Sequence, residues 1–346
     1  MKNLFGMTLG ELQSELQSIG QKKYRAGQIA AWMYQRGVRD FELMSDLSKE
    51  LRTTLAGNYE IRAARLITRL DSPLTTKFLL ELDEARVECV LMRHDYGNSI
   101  CISSQAGCAM GCAFCASTLN GLDRNLTAGE MLAQVLFVND ELRAEAQKID
   151  SIVVMGTGEP LANFDNLIAF LELIHAPNTL GLSYRKITVS TCGIVPNIAQ
   201  LAELNLPITL SISLHAPTDE LRSELMPINR TFGIKKVADA GREYALRTGR
   251  RVTYEYILIA GLNDSPEHAR QLATLLKGQL ANVNLIPINP VSERNFKRPT
   301  ARAIKTFAEV LDSRGIGSTV RKEFGAEIDA ACGQLRNRDR SAKVTK

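Results

Sequence analysis

Hydrophobic positions divide the chain into a short helical part and a longer part in which strands and helices alternate. Apolar residues recur three and four positions apart in residues 9–16 and again in residues 26–34, which is the spacing of amphipathic helices. Alternation of apolar and polar residues then predicts strands over 77–82 and 86–92. Residues 1–90 are therefore expected to form a small helical module that ends in strands.

From about residue 98 the pattern becomes strand, loop and helix, repeated. A capping-box signature, Thr127-Ala-Gly-Glu130, opens one of the helices. Six apolar runs are predicted as strands: residues 99–103, 151–155, 186–190, 208–213, 251–258 and 283–288. Strands that alternate with helices form a parallel sheet with helical crossovers. Six units are too few for a closed eight-stranded barrel, so the expected fold is α/β, an open partial (βα)6 barrel.

Polar residues gather immediately after these predicted strands. In order, they are the cysteine-rich loop 108–115, the turn 156–160, Ser190–Gly193, Ser213–His215 and Asn289. The carboxyl ends of parallel strands meet at one rim, where such folds place their chemistry. The sequence therefore predicts one cofactor pocket at this rim.

Three of the seven cysteines fall within eight residues, at Cys108, Cys112 and Cys115. Thiolates are soft ligands that suit zinc or iron–sulfur centres. A closed zinc site needs four protein ligands, whereas three thiolates on a four-iron cluster would leave one iron open. The spacing favours a cluster. A zinc site completed from a distant part of the chain, and ordinary buried cysteines, are the alternatives.

Composition and charge narrow the class of protein further. The chain has 346 residues, 45% of them hydrophobic and 23% charged, which are ordinary globular values. No apolar run approaches a membrane span, and the start lacks the apolar core of a signal peptide, so a cytoplasmic protein is expected. Net charge is +4, and the excess lies in residues 1–70 and 321–346. Basic ends suit a nucleic-acid partner, although solvated helix faces and a frayed tail explain them equally well.

The motif Cys108-x3-Cys112-x2-Cys115 resembles the signature of radical S-adenosylmethionine (SAM) enzymes. Two further motifs, Cys101-Ile-Ser-Ser-Gln-Ala-Gly-Cys108 and Asp329-Ala-Ala-Cys332-Gly-Gln-Leu335, are similar to those of the RlmN/Cfr family of RNA adenine methyltransferases. The resemblance implies an N-terminal RNA-contacting domain over 1–90, a radical SAM barrel over 91–336 and a basic tail over 337–346.

The resemblance also implies the cofactors and their ligands. Cys108, Cys112 and Cys115 would hold a [4Fe-4S] cluster whose open iron chelates SAM. The residues implied to bind SAM are Gly158, Glu159, Ser190, Ser213, Leu214, His215 and Asn289. Taken singly, the serines and the asparagine could be caps or turns, and the histidine a core residue. Thr157 and Cys192 depart from the residues the family commonly has, Met and Ser.

In the family the methyl group first moves to a cysteine, here Cys332, because adenine carbon 2 lies between two ring nitrogens and is not nucleophilic. A second SAM then yields a radical that activates the S-methyl group for addition to the ring. The alignment implies that Glu88 accepts the ring proton and that Cys101 releases the product by forming a transient disulfide with Cys332. An external donor, flavodoxin-like, would supply electrons. Cys89 and Cys192 are interpreted as packing residues.

The housekeeping branch of the family methylates carbon 2 of an adenosine in the peptidyl-transferase centre of 23S rRNA and the adenosine 3′ of the tRNA anticodon. The antibiotic-resistance branch methylates carbon 8 of the same rRNA adenosine. Gly158-Glu159-Pro160 and residues 287–295 are similar to the housekeeping branch, so carbon 2 is expected. The expected enzyme is a monomer without a membrane partner. A radical enzyme for another substrate, or a non-catalytic zinc protein that binds RNA, are the rival interpretations.

Overall fold

A computed structural model describes residues 1–83, 85–289, 291 and 293–335. The N-terminal module contains β1 (Lys2–Asn3), α1 (Leu9–Ser18), α2 (Tyr24–Ala30), α3 (Lys49–Asn58) and β2 (Tyr59–Glu60). Its helices begin where the sequence supplies caps: Thr8 and Glu11 form a capping box at α1, and Ser48 caps α3. The two short strands pair in parallel and close the module. The helices predicted here are confirmed, although the second continues as a π-helical turn over Ala31–Gln35.

The remaining strands are β3 (Arg65–Ser72), β4 (Thr75–Glu81), β5 (Arg86–His94), β6 (Gly97–Cys101), β7 (Gln105–Gly107), β8 (Leu122–Asn125), β9 (Ser151–Val154), β10 (Ile187–Thr191), β11 (Thr209–Ser213), β12 (Val252–Leu258), β13 (Ala281–Pro287) and β14 (Ser318–Val320). Ten of them form one sheet in the order β14-β13-β12-β11-β10-β9-β6-β5-β4-β3. β7 and β8 form a separate antiparallel ribbon.

The sheet combines a parallel part with an antiparallel extension. β6 and β9 to β14 pair with one another in parallel. β3, β4, β5 and β6 pair in sequence order and antiparallel, so β6 has one antiparallel and one parallel neighbour. All six strands predicted for the barrel are present. β14, three residues long, adds a seventh, and β3 lies at the opposite edge of the sheet; neither was predicted. β3 is exposed along most of its length, so its sequence lacks the alternation of apolar and polar residues that predicts a strand.

Helices connect the parallel strands: α4 (Ala128–Arg143), α5 (Phe164–His175), α6 (Val195–Leu204), α7 (Asp219–Leu225), α8 (Ile234–Thr248), α9 (Pro266–Leu275) and α10 (Ala301–Ser313). α4 begins at the predicted capping box of Thr127 and Glu130. The fold is the expected partial barrel, with its helices and strands sharing one hydrophobic core. Among the described residues, no helix is both long enough and apolar enough to cross a bilayer.

The N-terminal module packs directly on the barrel. Gly6 approaches α4 so closely that a Cβ there would lie 2.5 Å from Cα of Gly129, which only glycine allows. The hydrophobic core runs without interruption from Leu4 into the barrel. A boundary between residues 90 and 91 would cut β5, whose hydrogen bonds join β4 to β6. The predicted tail, 337–346, lies outside the described residues.

Candidate functional site

The cysteine-rich loop lies between β7 and β8 and is held by three separate parts of the chain. The amide of Cys108 donates to the carbonyl of Gly121 at 2.9 Å. The amide of Ala113 donates to the carbonyl of Leu225, at the end of α7, at 2.9 Å. The amide of Ala116 donates to the carbonyl of Gly333 at 2.8 Å. The loop is therefore fixed relative to both the barrel and the C-terminal segment.

A first cavity of about 890 Å³, including its open mouth, lies above the carboxyl ends of the parallel strands. All three loop cysteines line it, together with five of the seven residues predicted to bind SAM: Gly158, Glu159, Ser190, Ser213 and His215. The predicted convergence of strand-end residues on one pocket is observed for these positions.

Glu159 is a buried carboxylate whose oxygens are held by backbone amides. Its Oε1 accepts from Leu161 N at 3.0 Å, and its Oε2 accepts from Cys192 N at 2.7 Å. Burial raises the pKa of Glu159, against the stabilising effect of these amides. No lysine or arginine of the described chain forms an ion pair with it. Since a buried anion without a cation is costly, the site favours a ligand that brings a positive charge.

Gly158, which precedes this carboxylate, has φ of +109°. A Cβ at this position would lie 2.6 Å from Cβ of Gln105. The same Gln105 accepts from the amide of Glu159 through Oε1 at 2.8 Å. Close approach of the two segments therefore requires glycine and aligns the carboxylate beside the cavity.

His215 presents a neutral ring to the first cavity. Its Nδ1 accepts from Ile257 N at 3.0 Å, so the proton of the neutral ring lies on Nε2. Burial, with a smaller contribution from Arg222, lowers the pKa of His215 to about 3. The edge-to-face contact with Phe114, at 4.8 Å between ring centroids, fixes the ring plane. His215 can therefore donate a hydrogen bond at neutral pH but cannot supply a charge.

Two residues predicted to bind SAM do not line the first cavity. Leu214 is completely buried, and its carbonyl accepts from Nε of Arg222 at 3.2 Å. Asn289 lines a second cavity instead. Its Nδ2 donates to the carbonyl of Cys332 at 3.2 Å, and its buried Oδ1 has no hydrogen-bond partner among the described residues.

This second cavity, of about 720 Å³ including its open mouth, lies between β5, β6 and the C-terminal segment. Cys101 is on its wall, paired across the strands with Val90. Burial raises the pKa of Cys101 to about 12, with repulsion from Cys332 adding to it and Arg321 opposing it. Cys101 is therefore a protonated thiol in the resting protein.

Cys332 lines both cavities. Its position is set by the hydrogen bond from Asn289 and by Ser117 Oγ, which donates to the carbonyl of Leu335 at 2.7 Å. Cys332 is more than two hundred residues from the cysteine loop in sequence, yet it lies beside it. Cys332 thus lies between the cavity of the cysteine loop and the cavity that Cys101 lines.

Glu88 lies on β5, two residues before Val90, and so on the same face of the strand as the second cavity wall. It does not itself line either cavity. Its Oε1 pairs with Nζ of Lys77 at 3.2 Å, and that ammonium donates to the carbonyl of Asp329 at 3.1 Å. The carbonyl of Glu88 accepts from Ser103 Oγ at 2.7 Å. The carboxylate is therefore held next to the segment that carries Cys332.

The donor set of the first cavity fits a metal cluster. Burial raises the pKa of Cys108 to about 11 and also raises the pKa of Cys112 and Cys115, so an unliganded site would keep its thiols protonated. Within the described parts of the chain, no three His, Cys, Asp or Glu side chains converge closely enough to hold a single metal ion. Cys108, Cys112 and Cys115 line the same cavity, and a set of three soft thiolates suits an iron–sulfur cluster.

Comparisons with known proteins agree with this geometry. Residues 2–61 match the family described as ribosomal RNA large subunit methyltransferase N-terminal domain, and residues 102–273 match the radical SAM superfamily. A probable dual-specificity RNA methyltransferase RlmN of Symbiobacterium thermophilum is 52% identical over 337 residues, 96% of this chain and 91% of that protein. Its counterpart in Desulforamulus reducens is 49% identical over 339 residues, covering 97% and 96%. The chain belongs to the RlmN family of radical SAM RNA methyltransferases.

A solved structure shows the same fold. The crystal structure of a radical SAM methyltransferase from Sphaerobacter thermophilus is 42% identical, covers 97% of this chain and 99% of that one, and superposes with a TM-score of 0.94. The family resemblance and the partial barrel expected from the sequence are thus confirmed. The interpretation as a non-catalytic zinc protein is wrong, because this RlmN-family chain is a SAM-dependent radical enzyme. Membership of the superfamily implies a [4Fe-4S] cluster and SAM.

Several buried polar residues of this RlmN-family site were not predicted. Glu255 lines the first cavity and accepts from Ser211 Oγ at 3.1 Å and Asn284 Nδ2 at 2.8 Å. Glu255 could have been found from the sequence, because a carboxylate in the middle of a largely apolar strand indicates a buried polar site. Lys77 and Arg222 carry no such signal, because their partners lie far away in sequence.

Proposed function

We propose that this enzyme methylates carbon 2 of one adenosine in the peptidyl-transferase centre of 23S rRNA and of the adenosine 3′ of the tRNA anticodon. The observation that carries the proposal is the position of Cys332 on the wall common to both cavities. A thiol there can receive a methyl group on one side and present it to a base on the other. The relatives described as dual-specificity RNA methyltransferases support two RNA substrates.

The first cavity would hold the cofactors. Cys108, Cys112 and Cys115 would bind the [4Fe-4S] cluster, and the unpaired carboxylate of Glu159 would bind the amino group of SAM. Nε2–H of His215 is a donor for the same ligand. When bound, the cluster and SAM supply the one-electron chemistry that activates an otherwise inert C–H bond.

Cys332 would act as the carrier of the methyl carbon. Its thiolate attacks the methyl group of a first SAM, so an S–CH₃ bond forms and S-adenosylhomocysteine leaves. The S-methyl group on Cys332 would then carry the C–H bond that the one-electron chemistry of the cluster and a second SAM activates. The detour is needed because carbon 2 of adenine is not a nucleophile and cannot attack SAM directly. The second cavity provides the space beside Cys332 for a base extracted from RNA.

Glu88 and Cys101 would complete the reaction. The carboxylate of Glu88, held by Lys77, would accept the proton from carbon 2 once the methyl carbon has added to the ring. The Cys101 thiolate would attack the Cys332 sulfur, so an S–S bond forms while the bond from sulfur to the methylene carbon breaks, and the electron pair left on that carbon would take up a proton to give the methyl group. An external electron donor, flavodoxin-like, would then reduce the disulfide and deliver the electron for radical formation.

The N-terminal module would contact the RNA, and the enzyme would act in the cytoplasm as a monomer. The match of residues 2–61 to a methyltransferase N-terminal domain supports the first of these assignments. Its packing against α4 would hold the module in a fixed position relative to the barrel. Binding of tRNA by the full chain with Lys22→Glu and Lys23→Glu, two exposed positions of the module, would test this role against the wild type.

The experiment that tests the proposed reaction is mass mapping of modified nucleosides in RNA from cells with and without the protein. Loss of 2-methyladenosine from both 23S rRNA and tRNA is expected on deletion. Cys332→Ala should retain the iron and sulfide of the cluster while losing methylation, and Cys101→Ala should trap a covalent RNA–protein adduct. Formation of 8-methyladenosine would overturn the carbon 2 assignment. Failure to recover an adduct from Cys101→Ala would overturn the resolution step.

A further inference from the structure

Arg222, on α7, is completely buried and satisfies every donor of its guanidinium. Nε donates to the carbonyl of Leu214, and Nη2 donates to the carbonyls of Cys192 and Ser213, at 3.2, 2.7 and 3.0 Å. The acceptors of Nη1 are Asn229 Oδ1, at 2.8 Å, and the carbonyl of Phe232, at 3.3 Å. All five acceptors are neutral. A buried cation that bonds only to neutral dipoles retains a long-range electric field.

No carboxylate of the described chain forms an ion pair with Arg222. The carboxylate that contributes to the electrostatic environment of Arg222 is that of Asp219, an exposed residue. It is linked to Arg222 by Asn229, whose Nδ2 donates to Oδ1 of Asp219 at 2.8 Å. Burial lowers the pKa of the Arg222 guanidinium, yet arginine keeps its proton at neutral pH. The protein therefore places a fixed positive charge inside this end of the barrel.

This charge lies directly behind the first cavity. The peptide of Cys192 separates Arg222 from Glu159, since its carbonyl accepts from the guanidinium and its N–H donates to the carboxylate. The helix that carries Arg222 also holds the cysteine loop, through the carbonyl of Leu225 and the amide of Ala113. Cys192, whose carbonyl accepts from Arg222, packs in one buried cluster with Cys112 and Phe114 of the cysteine loop, and both Cys112 and Cys192 line the cavity.

We propose that Arg222 raises the reduction potential of the iron–sulfur cluster and so makes it reducible by a physiological one-electron donor. The inference rests on the cluster proposed for the first cavity. Reduction takes one electron from the donor and adds one negative charge to the cluster, with no proton to compensate it. Beside a cavity lined largely by buried protein groups, a fixed positive charge nearby stabilises that added charge. Arg222 thus acts on the cluster through space, as a positioning and electrostatic residue.

The test compares Arg222→Lys with Arg222→Gln. Lysine keeps the charge but loses most of the hydrogen bonds, whereas glutamine loses the charge but keeps a donor. Each reconstituted protein is assayed for iron and sulfide, and its midpoint potential is measured without SAM or RNA from the spectrum of the reduced cluster. The lysine variant should stay near the wild-type potential. For the glutamine variant the ratio of reduced to oxidised cluster at a fixed potential should fall roughly tenfold, equivalent to about 59 mV for one electron.

Asp219→Asn provides an independent measurement with opposite sign. It removes the nearest carboxylate charge while keeping the Oδ1 that accepts from Asn229 and from the amide of Ile234. The potential should rise by a smaller amount. Glu220→Gln is the matched control, because it removes the exposed carboxylate that is next in sequence, whereas Asp219 and not Glu220 contributes to the electrostatic environment of Arg222.

Equal potentials in wild type and Arg222→Gln, or an equal decrease in the lysine and glutamine variants, would overturn the inference. If the glutamine variant does not hold a cluster, the comparison of Asp219→Asn with Glu220→Gln decides, and identical potentials in these two would overturn it. A wild-type protein that takes up no iron and sulfide would instead refute the proposed function, and this inference with it.

Discussion

Resolution of the proposed Cys332–RNA adduct by Cys101 should accelerate about tenfold for each pH unit between about pH 7 and pH 9. The thiolate is the attacking species, and burial raises the pKa of Cys101 to about 12. Well below that value the thiolate fraction increases tenfold per pH unit. The rate of adduct decay should follow it, because Cys101 is the group that breaks the bond from sulfur to the methyl carbon.

The magnitude follows from the same pKa. A thiol with a pKa of about 12 is ionised to only about 1 part in 100,000 at pH 7. The ordinary value is 9.0, so burial adds roughly 4 kcal/mol to the free energy of forming the nucleophile. In the adduct Cys332 is alkylated and its repulsion of Cys101 disappears. Burial, which is the larger cause, persists.

The assay is single-turnover decay of the adduct, followed on denaturing gels after rapid acid quench over that pH range. Cys101→Ala should hold the adduct at every pH. Arg321→Met removes the cation that opposes the raised pKa of Cys101, so decay should be slower at each pH and recover as the pH is raised. Lys322→Met is the matched control, since that ammonium faces the ring of Phe324, 5.5 Å from its centroid, and decay should not change.

A decay rate that is independent of pH would refute the reasoning, because it would show that ionisation of Cys101 does not limit the step. Faster decay in Arg321→Met would be equally damaging, since it would reverse the sign of the electrostatic effect.

Three further predictions concern other parts of the site and fold. Asn289→Ala removes the donor to the Cys332 carbonyl and should lower turnover about tenfold with SAM affinity unchanged in calorimetry, whereas a weaker affinity would favour the SAM-binding role expected from sequence. Gly158→Ala should abolish SAM binding in the same assay and lower the melting temperature, because its Cβ would lie 2.6 Å from a neighbouring side-chain carbon. Glu130→Gln should lower the free energy of unfolding at pH 7 by roughly 1–3 kcal/mol, since it breaks charge-assisted bonds to Arg124 at 2.6 and 2.8 Å. Burial raises the pKa of Glu130, but the hydrogen bonds from Arg124 and the backbone outweigh burial, so the net pKa is lowered. In urea titrations the loss of stability in Glu130→Gln should therefore be full above pH 4.5. It should vanish as the pH falls through the lowered pKa of Glu130.

The sequence determined the features that depend on neighbouring residues. The spacing of Cys108, Cys112 and Cys115 identified the superfamily, and the capping box at Thr127 located the start of a helix. Apolar runs located the six barrel strands, because a strand buried on both faces must be apolar throughout. Each of these signals operates over a few residues, which is the range within which side chains of one helix or strand contact each other.

Tertiary structure alone decided what lies across the barrel opening. Residues 101, 289 and 332 come together at the second cavity only because the C-terminal segment folds back beside β5 and β6. In the folded chain Asn289 lines this cavity and donates a hydrogen bond to the backbone carbonyl of Cys332. No local pattern encodes such a contact, because its energy comes from groups that are separated by long stretches of chain.

Arg222 illustrates the same division. In the sequence it is one arginine on a short polar helix, with nothing to distinguish it from a solvated residue. Its burial follows from the packing of α7 beneath the ends of β10 and β11, where carbonyls from several segments point at one spot. The cysteine loop could be read from its spacing. The electrostatic potential around the loop is set by charges on residues that are distant in sequence, and these residues come together only when the chain folds.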